Sequence, residues 1–156
     1  MVLKKTLGTV LLSLSLVLIG GFDNAVEASS SSTEKVVKAK VDLETIKYEL
    51  EVDQTKKEVI EVLGEDKSVV INMMDGSLTW RYDINTVKEY SFENEYDIVD
   101  IEGIQSGDIG LQVFIGWNQE SNTINRITAY YLNNKDKRVY EYRVYPDESI
   151  KVIPIT

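Results

Sequence analysis

Apolar positions recur along this chain with two different periods, and the change of period divides it. From Asp42 to Gly64 the spacing is helical. Leu43, Ile46 and Leu50 fall at i, i+3 and i+7 behind Asp42, a residue suited to cap a helix. A second helix is predicted from Thr55-x-x-Glu58, a capping box in which the Thr hydroxyl accepts from the Glu58 amide and the Glu58 side chain reaches back. Val59, Val62 and Leu63 give its apolar face, with Ile60 at the margin. Gly64 stands where a left-handed residue ends a helix. The abrupt exit through Val52-Asp53 predicts a helical hairpin.

From Ser68 onward the pattern is that of strands. Ser68 to Met74 and Ser77 to Tyr82 flank Asp75-Gly76, which predicts a two-residue type I′ turn. Leu111 to Trp117, Ile124 to Leu132 and Arg138 to Tyr145 follow, separated by polar turns at Asn118 to Thr123 and Asn133 to Lys137. Ile150 to Ile155 is a candidate short edge strand closed by Pro154. The expected fold is α+β: an N-terminal helical hairpin packed on an antiparallel sheet of four to five strands.

The first residues follow a third pattern. Lys4 and Lys5 precede an apolar run from Leu7 to Gly21, and Val26-Glu27-Ala28 is a small-x-small cleavage site. Residues 1–28 therefore read as a secretory signal peptide, and the protein as secreted or held in the cell envelope. The alternative is an uncleaved anchor, since the uncharged run from Thr6 to Phe22 is about the shortest that spans a bilayer. Only then does the chain meet a membrane. Residues 29–41, opening on Ser29 to Ser32, read as a flexible polar linker. Residues 42–156 then form a single domain.

Charge and composition narrow the chemistry. A net charge of −9 disfavours nucleic acid and suits a basic partner. Histidine and cysteine are both absent, which excludes Ser-His-Asp and Cys-His nucleophile systems, His or Cys zinc sites and disulfides. No cofactor is expected. A metal, if any, would be oxygen-bound, with calcium the first choice. Acids crowd the segment 83–110, from Asp83 to Asp108, against the single base Lys88. It is far longer than an ordinary strand connection, which marks it as a functional or mobile insertion. Its Asp97-x-x-Asp100-x-Glu102 lacks the spacing of an EF-hand loop.

The chain has nine tyrosines. Alternation puts Tyr140, Tyr142 and Val144 on one face of their strand, and Val139, Glu141, Arg143 and Tyr145 on the other. On the preceding strand Tyr130 aligns with Arg126, Thr128 and Leu132. One sheet face must cover the helices, and the other is expected to present Tyr130, Arg143 and Tyr145 to a partner. Trp117, at a strand end, joins that partner-binding set. Thr55, Glu58, Leu63, Gly64, Trp80 and Tyr82 form the expected structural set, with Trp80 in the core.

Thr55-Lys56-Lys57-Glu58-Val59-Ile60-Glu61-Val62-Leu63-Gly64, followed by Trp80-Arg81-Tyr82 on the second strand of a hairpin, resembles the signature of the SmpA/OmlA lipoproteins. The same small fold occurs, duplicated, in the beta-lactamase inhibitory protein. The resemblance runs from about Leu43 to Leu132, without the lipid-bearing cysteine and with the acidic segment inserted. It implies a small envelope or secreted binding module and no enzyme. The function expected is an exported, noncatalytic binder of a protein or envelope component. The alternative is a carboxylate-dependent hydrolase or a calcium-dependent binder acting on wall polymer.

Overall fold

The computed structural model describes residues 40–156. The signal peptide and nearly all of the linker lie outside the described residues. Two helices come first, α1 (Leu43–Glu49) and α2 (Lys56–Leu63), then strands β1 (Ser68–Ile71) and β2 (Leu78–Ile84). A third helix, α3 (Ile101–Ser106), precedes β3 (Leu111–Trp117), β4 (Ile124–Leu132), β5 (Val139–Val144) and β6 (Ile150–Pro154). The strands form one antiparallel sheet in the order β1-β2-β3-β4-β5-β6. The class is mixed α+β.

Six strands replace the four to five expected. The Ile150–Pro154 segment pairs along its length with β5, from Val144↔Ile150 to Tyr140↔Pro154. Most of it is exposed, so burial left little mark on its sequence. Pro154 has no N–H to offer a further strand, which suits an edge.

Three of the four hairpin turns, β1–β2, β3–β4 and β4–β5, share one device that the sequence reading missed. At Asn72, the N–H donates to the Ser77 carbonyl and the Gly76 N–H returns to the Asn72 carbonyl, both at 2.8 Å. The same pair of bonds closes Asn118 to Thr123 and Asn133 to Arg138. Each loop opens on an asparagine whose side chain accepts from the N–H two residues on: Met74, Glu120 and Lys135. The fourth residue after that asparagine has positive φ: Gly76 at 72°, Asn122 at 57° and Lys137 at 60°. Asp75-Gly76 is therefore not a two-residue type I′ turn. Only Gly76 is left-handed, and Met73 and Met74 leave the strand for the loop.

Both early helices are capped as their sequences require. The Asp42 carboxylate accepts from the Thr45 N–H at 3.0 Å. Thr55 Oγ1 accepts from the Glu58 N–H at 3.4 Å, and Glu58 Oε2 accepts from the Thr55 N–H at 2.7 Å. Their apolar faces bury Ile46, Leu50, Val59 and Leu63 against one face of the sheet, which contributes Tyr82, Val113, Ile115, Ile127, Ala129, Tyr142 and Val144. Burial of this kind stabilises by roughly 1.5–3 kcal/mol per large side chain.

The opposite face has its own core. Val70, Ile104, Ile109, Phe114, Tyr130 and Val139 pack together there, with Tyr90, Phe92, Val99 and Ile101 against them. The acidic connection is thus a second covering layer, not a loose insertion. Tyr90, Phe92, Val99, Ile101, Ile104 and Ile109 face the sheet, and Glu89, Glu93, Glu95 and Glu102 face water, while Asp100 is buried. β3, sandwiched between the two layers, is buried at every position.

Candidate functional site

Arg81 decides how far the acidic connection covers its face. Alternation on β2 points it away from the helices, and it is 3% exposed. Its Nη2 donates to the Phe92 carbonyl, Nη1 to the Asn94 carbonyl at 3.4 Å, and Nε to Asp83 at 3.2 Å. The guanidinium also lies 5.0 Å from the Phe92 ring centre. Behind it, Gln112 Nε2 donates to Asp83 at 2.7 Å, Gln112 Oε1 accepts from the Asp100 N–H at 2.9 Å, and Asp100 receives the Tyr90 hydroxyl. Asp100 also caps α3 through the Gly103 N–H. A chain of buried polar groups therefore ties the connection to β2 and β3. Asp97 accepts from the Met73 N–H at 3.0 Å, and backbone bonds join Ile71 to Glu95 and Asp97. Asp97 and Asp100 thus have separate structural duties. Among the described residues, no group of three or more acids is placed to hold a metal ion.

The rest of that face stays open. Register aligns Phe114 with Thr128, Thr128 with Arg143 and Arg143 with Lys151, while Arg126 lies opposite Gly116. A hollow of about 310 Å³ forms here, lined by Asn72, Met74, Asp97, Arg126, Thr128 and Arg143, with Phe114 and Tyr130 in its wall. A second hollow of about 470 Å³ adjoins it between the β1–β2 and β3–β4 turns, and Arg126 lines both. Gly116 makes this arrangement possible: a Cβ there would sit 2.9 Å from Asn125 Oδ1 and 3.4 Å from the Arg126 Cβ.

Two residues lining the first hollow carry buried donors without acceptors. Asn72 is 1% exposed; its Oδ1 accepts from the Met74 N–H, which fixes the amide and leaves Nδ2 buried and unpartnered. Arg143 Nη2 donates to Glu141 at 2.9 Å, but its buried Nε has no acceptor. Arg126 forms no ion pair among the described residues. Burial works against the Arg143 charge, yet Glu141, with Tyr130, outweighs it and holds the pKa above the usual value. Burial first, then the Glu141 charge, pushes the Tyr130 phenol up to about 12.

The predicted partner-binding residues are only partly brought together. Trp117 is 5% exposed and sits in the helix-side core, its ring centre 4.7 Å from that of Trp80. It was expected at the surface because it ends a strand; α2 and Lys56, 5.4 Å above the ring, cover it. Tyr130 is also buried, at 9%, and donates to Glu141 at 3.0 Å. It walls the hollow and is no free anchor. Arg143 and Tyr145 are half-buried on the open face, with the guanidinium 5.9 Å from the Tyr145 ring centre. In the structural set, Thr55 and Glu58 cap α2, and Leu63 and Tyr82 lie in the core that Trp80 flanks. Asn72, Met74, Gly116 and Arg126 escaped the sequence reading. Strand parity already placed Arg126 beside Tyr130, but nothing local linked it to the β1–β2 turn.

The fold defines a small α+β domain with α1 and α2 on one sheet face and, on the other, the acidic connection with α3 covering part of it. Comparison of the chain with protein-family models, curated proteins and solved structures found no match. No helix among the described residues is long and apolar enough to cross a membrane.

Proposed function

We propose that this chain is an exported, noncatalytic binding module for a protein or cell-envelope component, working outside the cytoplasm. The observation that carries the reading is the open half-face around Arg126 and Arg143, an arginine-lined surface with Tyr145 and the 91% exposed Met74 at its margins. Arg, Tyr and Met are side chains that binding surfaces favour. We also read α1 and α2 as the helical hairpin of an SmpA-like domain. The capped helix ending at Leu63-Gly64 and the Trp80-x-Tyr82 strand support that reading.

The test is capture from envelope extract on the immobilised exported chain. One partner should be retained by the native chain and by Tyr48→Ser, which alters an exposed residue of α1 on the other face. Tyr145→Ala and Met74→Ser should release it faster, with melting temperatures unchanged. Turnover of wall polymer, abolished by a single Asp or Glu substitution, would overturn the binding-module reading.

A further inference from the structure

The hollow between β4, β5 and the β1–β2 turn holds a surplus of donors beside an exposed methionine. Asn72 Nδ2 and Arg143 Nε are both buried without acceptors, and both residues line it. An unsatisfied buried donor is costly, so such groups in a native fold call for an explanation. Arg126 adds a guanidinium with no ion-pair partner among the described residues. The hollow therefore favours an oxygen acceptor with negative charge. Its acids limit how much charge. Glu141 already engages Arg143, Asp97 lines the hollow, and Asp75 in the adjoining hollow lies within charge range of Arg126, so both arginines are partly neutralised. A phosphate polyanion would meet those carboxylates on a chain of net charge −9. A single planar carboxylate matches the flat fork of an arginine without that repulsion.

We propose that this hollow takes a carboxylate of a partner polypeptide with an apolar group beside it. Arg126 and Arg143 hold the oxygens, and Met74 covers the apolar group. Met is suited to that last part because its flexible, polarisable side chain adapts to irregular apolar shapes. This inference rests on the binding-module reading and names the chemistry of the partner's anchoring group.

The test is amide NMR on the isotopically labelled chain, titrated with N-acetyl-leucine, with its amide and with inorganic phosphate. N-acetyl-leucine should shift the signals of Arg143 Nε–H, the Asn72 side-chain amide and Gly116. Its dissociation constant should be on the order of 1 mM, as its size allows. The amide should bind at least about tenfold more weakly, since it lacks the charge-assisted bonds. Arg126→Gln is the decisive variant, because no ion pair of the described fold depends on it. It should cost about tenfold in affinity and leave the melting temperature unchanged. Equal binding of the amide, tighter binding of phosphate, or shifts confined to another face would overturn the proposal. So would an unperturbed spectrum. A captured partner that survives Arg126→Gln and Arg143→Gln would overturn the carboxylate site and leave the binding module standing. Carboxylate binding here alongside wall-polymer turnover would do the reverse.

Discussion

The Tyr82 hydroxyl on β2 donates to the Gly64 carbonyl at the end of α2, at 3.2 Å. One bond thereby joins the end of the helix to the strand it packs on. Gly64 has φ 95° and ψ −176°, a conformation essentially open to glycine alone. Its N–H closes the last turn on Ile60 at 2.8 Å. The glycine turns the chain, and the tyrosine fixes where it turns.

Tyr82→Phe should therefore cost about 1 kcal/mol, the net worth of one hydrogen bond. Gly64→Val should cost more, because a β-branched residue tolerates positive φ poorly. Urea unfolding would show a lower midpoint with an unchanged slope for both. Midpoints equal to the native chain would refute the role of this junction.

Alkaline pH should unfold the domain through its phenols. Burial, then the Glu65 charge, raises Tyr82 to about 12, and burial with Glu141 raises Tyr130 to about 12. Tyr90 is raised to about 12 chiefly by its bond to Asp100. An unfolded tyrosine ionises near 10. The folded state thus retains protons that the unfolded state releases. Its advantage is fully present below pH 10 and is lost as pH rises through 12. Absorbance titration should show a late-ionising set, and Tyr82→Phe should flatten the loss of stability above pH 10.

Arg81 is the clamp of the acidic connection. Arg81→Met keeps the apolar stem but removes the bonds to Phe92, Asn94 and Asp83. Amide exchange across residues 86–97 should accelerate, while β3 and β4 stay protected. Uniform acceleration through the sheet would mean that the connection and the core open as one unit.

Lys137 occupies the loop position that Gly76 fills in the first turn, at φ 60°. A lysine there carries left-handed strain that glycine lacks, offset in part by the entropy that glycine loses on folding. Lys137→Gly should raise stability by up to about 1 kcal/mol, and Gly76→Lys should lower it. Calorimetric melts of the two variants moving in the same direction would contradict the shared loop geometry.

The exported form should begin near Ser29, as the Val26-Glu27-Ala28 pattern predicts. Intact mass of protein recovered from medium or envelope measures this directly. A membrane-held form retaining Met1 would instead establish the anchor.

Local chemistry alone determined the helix caps at Asp42, Thr55 and Glu58, the stop at Gly64 and the alternation that puts Tyr142 and Val144 on one face, Arg143 and Tyr145 on the other. Those features depend on neighbours within a few residues, so they are written in short stretches of sequence. The turn at Asp75-Gly76 was misread because a dipeptide does not reveal the asparagine that opens a four-residue loop. Tertiary structure decided what lies above each face. Arg81 reaches Phe92 and Asn94 only once the connection folds back over β2, and Trp117 is buried only because α2 settles on it. The hollow joins Asn72, Arg126 and Arg143 from three strands or their turns, through sheet register and the close approach that Gly116 permits. Periodicity assigns a side chain to a face; only packing decides whether that face meets protein or water.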